Sequence, residues 1–196
     1  MSGTEEPPRH GAPAAPEAMP DPATALRELL EVMRRLRDPQ SGCPWDLAQD
    51  FASIAPHTLE EAYEVADAIA RGGPQDICDE LGDLLFQVVF HSRLGEERGW
   101  FDFAAVAAGI ATKLRRRHPH VFDATGSTDV AAQGASWERI KAEERDAGGD
   151  ASVLGGIALA LPALSRAAKL GKRAGRVGFD WPDARGVRDK VAEELG

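Results

Sequence analysis

TLEEAYEVADAIARGGPQDICDELGDLLFQVVF, residues 58–90, reads as two helices joined by the short loop Arg71-Gly72-Gly73-Pro74. Residues three or four apart on a helix are surface neighbours. Glu60, Glu61 and Glu64 (E-E-x-x-E) therefore share one side of the first helix, and Glu80 and Asp83 (E-x-x-D) one side of the second. An antiparallel hairpin would turn the two clusters toward each other. Such an all-oxygen, strongly anionic site suits Mg²⁺ or Mn²⁺ and metal-assisted phosphate chemistry.

A solvated helix face is the alternative. On the first helix Leu59, Ala62, Val65, Ala66 and Ile69 form one apolar stripe, with the glutamates on the other sides, so that helix alone fits either reading. Thr58-Leu59-Glu60-Glu61 also reads as a capping box, with Thr58 as N-cap. The second helix is different. Ile77, Cys78, Leu81, Leu84, Leu85, Phe86, Val88, Val89 and Phe90 cover most of its circumference, and Glu80, Asp83 and Gln87 fill a narrow polar seam. A helix apolar nearly all round is expected to be buried in a bundle or oligomer. Carboxylates there need a cation.

Working outward, helices are expected at 22–37, 58–71, 75–98 and 103–117, with a bend near Gly95 and close helix approach at Gly82. The last ends in Lys113-Leu114-Arg115-Arg116-Arg117-His118 before Pro119. Cations compensate a helix dipole at that end, but four in five residues exceed that need and point to phosphate binding. Residues 123–135 read as a loop and 136–146 as a charged helix with Trp137. A basic helix follows Leu161-Pro162 to about Gly175, and a final helix starts near 183. In the loop Gly42-Cys43-Pro44-Trp45-Asp46, Trp45 could stack on a base or plug a helix end. No zinc pattern, E-x-x-H string or P-loop is present.

The stretch from Leu29 to Phe122 resembles the MazG family of nucleoside triphosphate pyrophosphohydrolases. The resemblance is carried by Met33 to Pro39, Gly42 to Asp46, Phe51 to Pro56, Thr58 to Glu64, Glu80 to Phe90 and Lys113 to Phe122. It implies an all-α domain with a four-helix core, assembled as a homodimer, that catalyses NTP + H₂O → NMP + PPi with Mg²⁺ (or Mn²⁺ in its place). By motif position Glu61, Glu64, Glu80 and Asp83 are the implied metal ligands. Glu60 and Glu61 are the implied catalytic carboxylates, Glu60 orienting or deprotonating the water. Lys113, Arg116 and Arg117 are implied phosphate contacts and Trp137 a nucleotide contact. Housecleaning of the NTP and dNTP pool is the implied role.

Composition marks residues 1–20 as a disordered Pro/Ala/Glu-rich tail; the resemblance then sets 21–146 as the MazG-like domain and 147–182 as a linker with a basic helix. Residues 183–196 match the start of a second repeat, its E-E-x-x-E reached only as Glu193-Glu194, so a fragment of a two-repeat protein is expected. The alternative function is a non-catalytic nucleotide-binding or dimerisation repeat. A net charge of −9 argues against non-specific nucleic-acid binding. No apolar run approaches ~18 residues, so no membrane span is expected, and two cysteines read as free thiols of a cytoplasmic protein.

Overall fold

Asp50 starts the central hairpin. Its Oδ1 accepts from the Ala52 and Ser53 amides at 2.8 and 2.9 Å, and Ser53 Oγ accepts from the Asp50 amide at 2.9 Å. This reciprocal cap begins a helix at Phe51 rather than at the expected Thr58. In the computed structural model, which describes residues 21–123, 133, 134, 137, 139, 140, 143, 144 and 152–196, the first three helices are α1 (Pro22–Leu36), α2 (Pro44–Ala48) and α3 (Phe51–Arg71). Pro56 lies inside α3 and lacks an amide N–H, which costs one helical hydrogen bond. The Asp50 cap and the burial of Ile54 (2% exposed) hold the turns before it.

α3 turns into α4 (Pro74–Glu97) through Gly72 and Gly73. A Cβ on Gly72 would stand 2.8 Å from the Ala68 carbonyl oxygen and 2.9 Å from Asp76, so the turn is as tight as glycine allows. Asp76 Oδ2 accepts from the Gly73 amide at 2.7 Å and so closes the start of α4. The helices run antiparallel: Glu64 meets Glu80 near the turn, and Thr58 Oγ1 bonds His91 Nε2 at 2.9 Å farther along.

The chain divides into two units, Met1–Ile110 and Ala111–Gly196. The core of the first is Met33, Ile54, Val89, Phe90 and Leu94, with Leu29, Leu30, Phe51, Phe86 and Phe103 packed around it. It draws on α1, α3, α4 and the start of α5 (Phe103–Arg117). The expected all-round burial of α4 does not hold: Val89, Phe90 and Leu94 are buried, but other apolar positions are open. Leu81, Leu85 and Val88 are 50%, 41% and 38% exposed. Gly82 has open space where its Cβ would be, so it serves no close helix contact. At Gly95 the space is closed by the loop after α4: a Cβ there would lie 2.6 Å from the Phe101 ring.

Arg37 fixes the segment between α1 and α3. Buried to 6% exposure, it grips Glu97 through Nε and Nη2 at 2.9 and 2.7 Å and donates to the carbonyls of Asp46 and Gln49. Beyond α4, Phe51 stacks on His91 and Trp100, and the Arg98 guanidinium covers both Phe51 and Trp100.

The second unit holds the end of α5, then α6 (Pro119–Phe122), α7 (Ala163–Gly175) and α8 (Ala184–Leu195). Residues 133, 134, 137, 139, 140, 143 and 144 are also helical. The basic helix ending at Gly175 and the last helix match their expected places. The expected tail, 1–20, and most of the expected loop, 124–132, lie outside the described residues. Among the described residues every regular element is a helix, so the all-α expectation holds. No described helix is long and apolar enough to cross a membrane.

Candidate active site

Carboxylates come from both arms of the hairpin. Glu61 and Glu64 stand one turn apart on α3, and the antiparallel turn brings Glu80 of α4 opposite. One oxygen from each of the three lies within 4.8 Å of the other two. Asp83 is outside this triplet and exposed, yet its charge acts on both Glu61 and Glu80.

The electrostatics are those of crowded acids. Burial is the largest influence pushing the Glu61 carboxyl above its ordinary value. A hydrogen bond with Glu64 and the charges of Glu64, Asp83 and Glu80 push the same way. Glu80 is raised by burial, then by the charges of Glu64, Asp83, Asp79 and Asp76. Among the described residues no ion pair reaches Glu61, Glu64, Glu80 or Asp83, and the nearby Arg71 is taken by Asp67. Three converging carboxylate oxygens without a base fit a hard divalent cation, whose remaining positions water can fill.

Glu60 points elsewhere. Its Oε2 lies 3.5 Å from His57 Nδ1, and His57 meets the Trp45 ring edge-on at 6.2 Å. Trp45 is 54% exposed, which makes it an open aromatic face rather than a plug.

The family model described as MazG nucleotide pyrophosphohydrolase domain matches residues 49–122. The chain is 54% identical over 170 residues to the nucleoside triphosphate pyrophosphohydrolase of Escherichia coli K12, an alignment covering 87% of this chain and 65% of that protein. It is 41% identical over 178 residues to the nucleoside triphosphate pyrophosphohydrolase/pyrophosphatase MazG of Thermotoga maritima, covering 90% of this chain and 67% of the relative. The chain belongs to the MazG family. A Mycolicibacterium smegmatis nucleoside triphosphate pyrophosphohydrolase is 36% identical over 168 residues, 85% of this chain and 50% of that protein. The chain thus spans between half and two thirds of the length of these curated relatives.

The matched MazG segment contains Glu60, Glu61, Glu64, Glu80, Asp83, Lys113, Arg116 and Arg117; Trp137 lies beyond it. The last three basic residues and Trp137 belong to the second unit. There Glu144 receives both Arg116 and Arg117. Their hydrogen bonds, Arg117 first, hold its carboxyl down at about 2. Lys113 has no ion pair among the described residues. Trp137 meets His118 edge-on at 4.8 Å.

Three features leave no local signature in the sequence. Thr58 is a mid-helix partner of His91, not a cap. Glu144 clamps two arginines 27 and 28 positions away, a pairing no local pattern encodes. Gln87, noted as part of the polar seam, is buried to 5% exposure, with Oε1 lacking a partner among the described residues.

Proposed function

We propose that this MazG-family chain hydrolyses nucleoside triphosphates, ribo- and deoxyribonucleotides alike, to the monophosphate and pyrophosphate. The observation that carries this reading is the convergence of Glu61, Glu64 and Glu80 within 4.8 Å, with no ion pair to any of them among the described residues. The names of the relatives support the reaction class.

Glu61, Glu64, Glu80 and Asp83 would hold Mg²⁺ or Mn²⁺. Such an ion, when bound, lowers the pKa of water and neutralises phosphate charge. Glu60, next to Glu61 in the chain and 3.5 Å from His57 Nδ1, is the proposed acceptor of the water proton, with Glu61 as its partner. Lys113, Arg116 and Arg117 are the proposed phosphate contacts. For Arg116 and Arg117 the triphosphate would have to compete with Glu144. Trp137 is the proposed nucleotide contact. Removal of unwanted nucleotides from a cytoplasmic pool is the proposed role, and the free thiols Cys43 and Cys78 favour a reducing compartment.

A homodimer is part of the same proposal. Leu81, Leu85 and Val88 form one stripe of α4, and Leu59 and Tyr63 of α3 are 50% and 60% exposed. An apolar face of this kind marks an interaction surface. Sedimentation should give twice the chain mass, and Leu85→Arg should give monomers.

The reaction is tested by incubating the purified chain with a mixture of NTPs and dNTPs, with Mg²⁺ or with EDTA, and separating the products. Monophosphate plus pyrophosphate in Mg²⁺ alone is the expected result. Diphosphate plus phosphate rejects the reading. No product from folded protein favours a repeat that binds nucleotide without turnover.

A further inference from the structure

α4 carries a ladder of polar residues, Glu80, Asp83, Gln87 and His91, at steps of three, four and four, which keeps them on one face. The two ends of this ladder differ. His91 is satisfied by Thr58, Oγ1 to Nε2 at 2.9 Å. Glu80 and Asp83 stand among other acids, with no ion pair among the described residues. Between them Gln87 is 95% removed from solvent, and its Oε1 is fully buried without a hydrogen-bond partner among the described residues.

A buried amide oxygen left unpaired destabilises a protein, and a methionine of similar length would avoid that cost. Side chains on a helix lean toward its N-terminus. A Gln87 side chain that follows this lean extends toward the turn of Asp83, on the carboxylate side of α4, rather than toward His91. An amide oxygen accepts hydrogen bonds and carries no charge, so it adds an acceptor to this acidic region without adding to its repulsion. The donor it lacks is one that a hydrated divalent cation brings, because Mg²⁺ and similar ions keep several waters when bound by few carboxylates.

Resting on the metal site proposed above, we propose that Gln87 is a positioning residue that accepts, through Oε1, a hydrogen bond from a water of the bound cation's shell. It would hold the hydrated ion against the Asp83 side of the cluster. Partners of this kind behind the ligands change metal affinity by about 10- to 100-fold when removed.

The test is calorimetric titration of the full chain with Mn²⁺ alone, for wild type, Gln87→Met and Gln87→Asn, together with thermal melts without metal. Gln87→Met is expected to melt above wild type without metal and to bind Mn²⁺ at least about tenfold more weakly. Gln87→Asn, which keeps the amide but withdraws it by one methylene, is expected to weaken binding too, and it carries the test if Met upsets the packing. Wild-type Mn²⁺ affinity in both variants overturns the inference while leaving the metal site standing. A wild-type chain that binds no Mn²⁺ overturns both.

Discussion

At its C-terminal end α4 places Glu97 between two guanidinium groups, Arg37 at 2.7 Å and Arg93 at 3.0 Å. At its other end it places Glu80 beside Glu61 and Glu64, with no ion pair to any of the three among the described residues. For Glu97, burial pushes the carboxyl up, but the hydrogen bonds and charges of Arg37 and then Arg93 outweigh it, and its pKa falls below the ordinary 4.5. For Glu61 and Glu80, burial and like charges act together and the pKa rises. One helix thus carries a staple and a candidate site. The staple joins the α1–α3 segment to the core through Arg37. The site holds acids together only because the hairpin backbone does, an arrangement that favours a ligand cation.

The largest effect that would break this contrast is catalytic. Glu64→Ala or Asp83→Ala should abolish nucleotide hydrolysis while circular dichroism stays fully helical, whereas Arg93→Ala at the other end should leave turnover intact. Activity retained in both acidic variants would show that the cluster is only a solvated face.

Next in size is the staple. Arg37→Met leaves Glu97 half-buried with one partner fewer and strips the Asp46 and Gln49 carbonyls of a donor. Breaking a buried pair costs about 3–5 kcal/mol; with Glu97 28% exposed, the lower end, about 3 kcal/mol, is expected in urea denaturation. Mn²⁺ affinity should not change.

Smaller and of opposite sign is Glu61→Gln, which removes one crowded charge. The metal-free variant should melt above wild type, and the gain in melting temperature that Mg²⁺ gives wild type by binding the folded state should shrink.

The smallest effect is the pH dependence. Glu97 contributes stability that is complete above 4.5 and lost as pH falls through its lowered value. Glu61 and Glu80 bind protons more tightly when folded, so the metal-free protein loses stability as pH rises from 4.5 through their raised values. Melting curves without metal should therefore peak on the acid side of neutrality, and saturating Mg²⁺ should move the peak toward neutral pH.

Much of the hairpin could be read from residue spacing, because E-E-x-x-E, E-x-x-D and the Gly-Gly-Pro break are local signals. α5 matches its expected span, 103–117, for the same reason. The start of α3 is not legible at Thr58, whose capping-box pattern with Glu61 looks like a helix entrance, while Asp50 and Ser53 form the actual cap. A helical wheel showed that α4 is apolar nearly all round, but not which neighbours cover it. It therefore could not tell buried Val89 and Phe90 from exposed Leu81 and Leu85. The Arg37–Glu97 staple spans 60 positions and leaves no trace in local pattern. The candidate metal ligands were legible as residue types at helical spacing. Their crowding, and the burial of Gln87, needed the packed hairpin.

The most direct measurement is anomalous diffraction from crystals grown with Mn²⁺. A peak coordinated by oxygens from both helices, Glu61 or Glu64 on one side and Glu80 or Asp83 on the other, is the expected result. A peak elsewhere, or a well-ordered hairpin with no peak at saturating Mn²⁺, would contradict the reading of this end of α4 as a metal site.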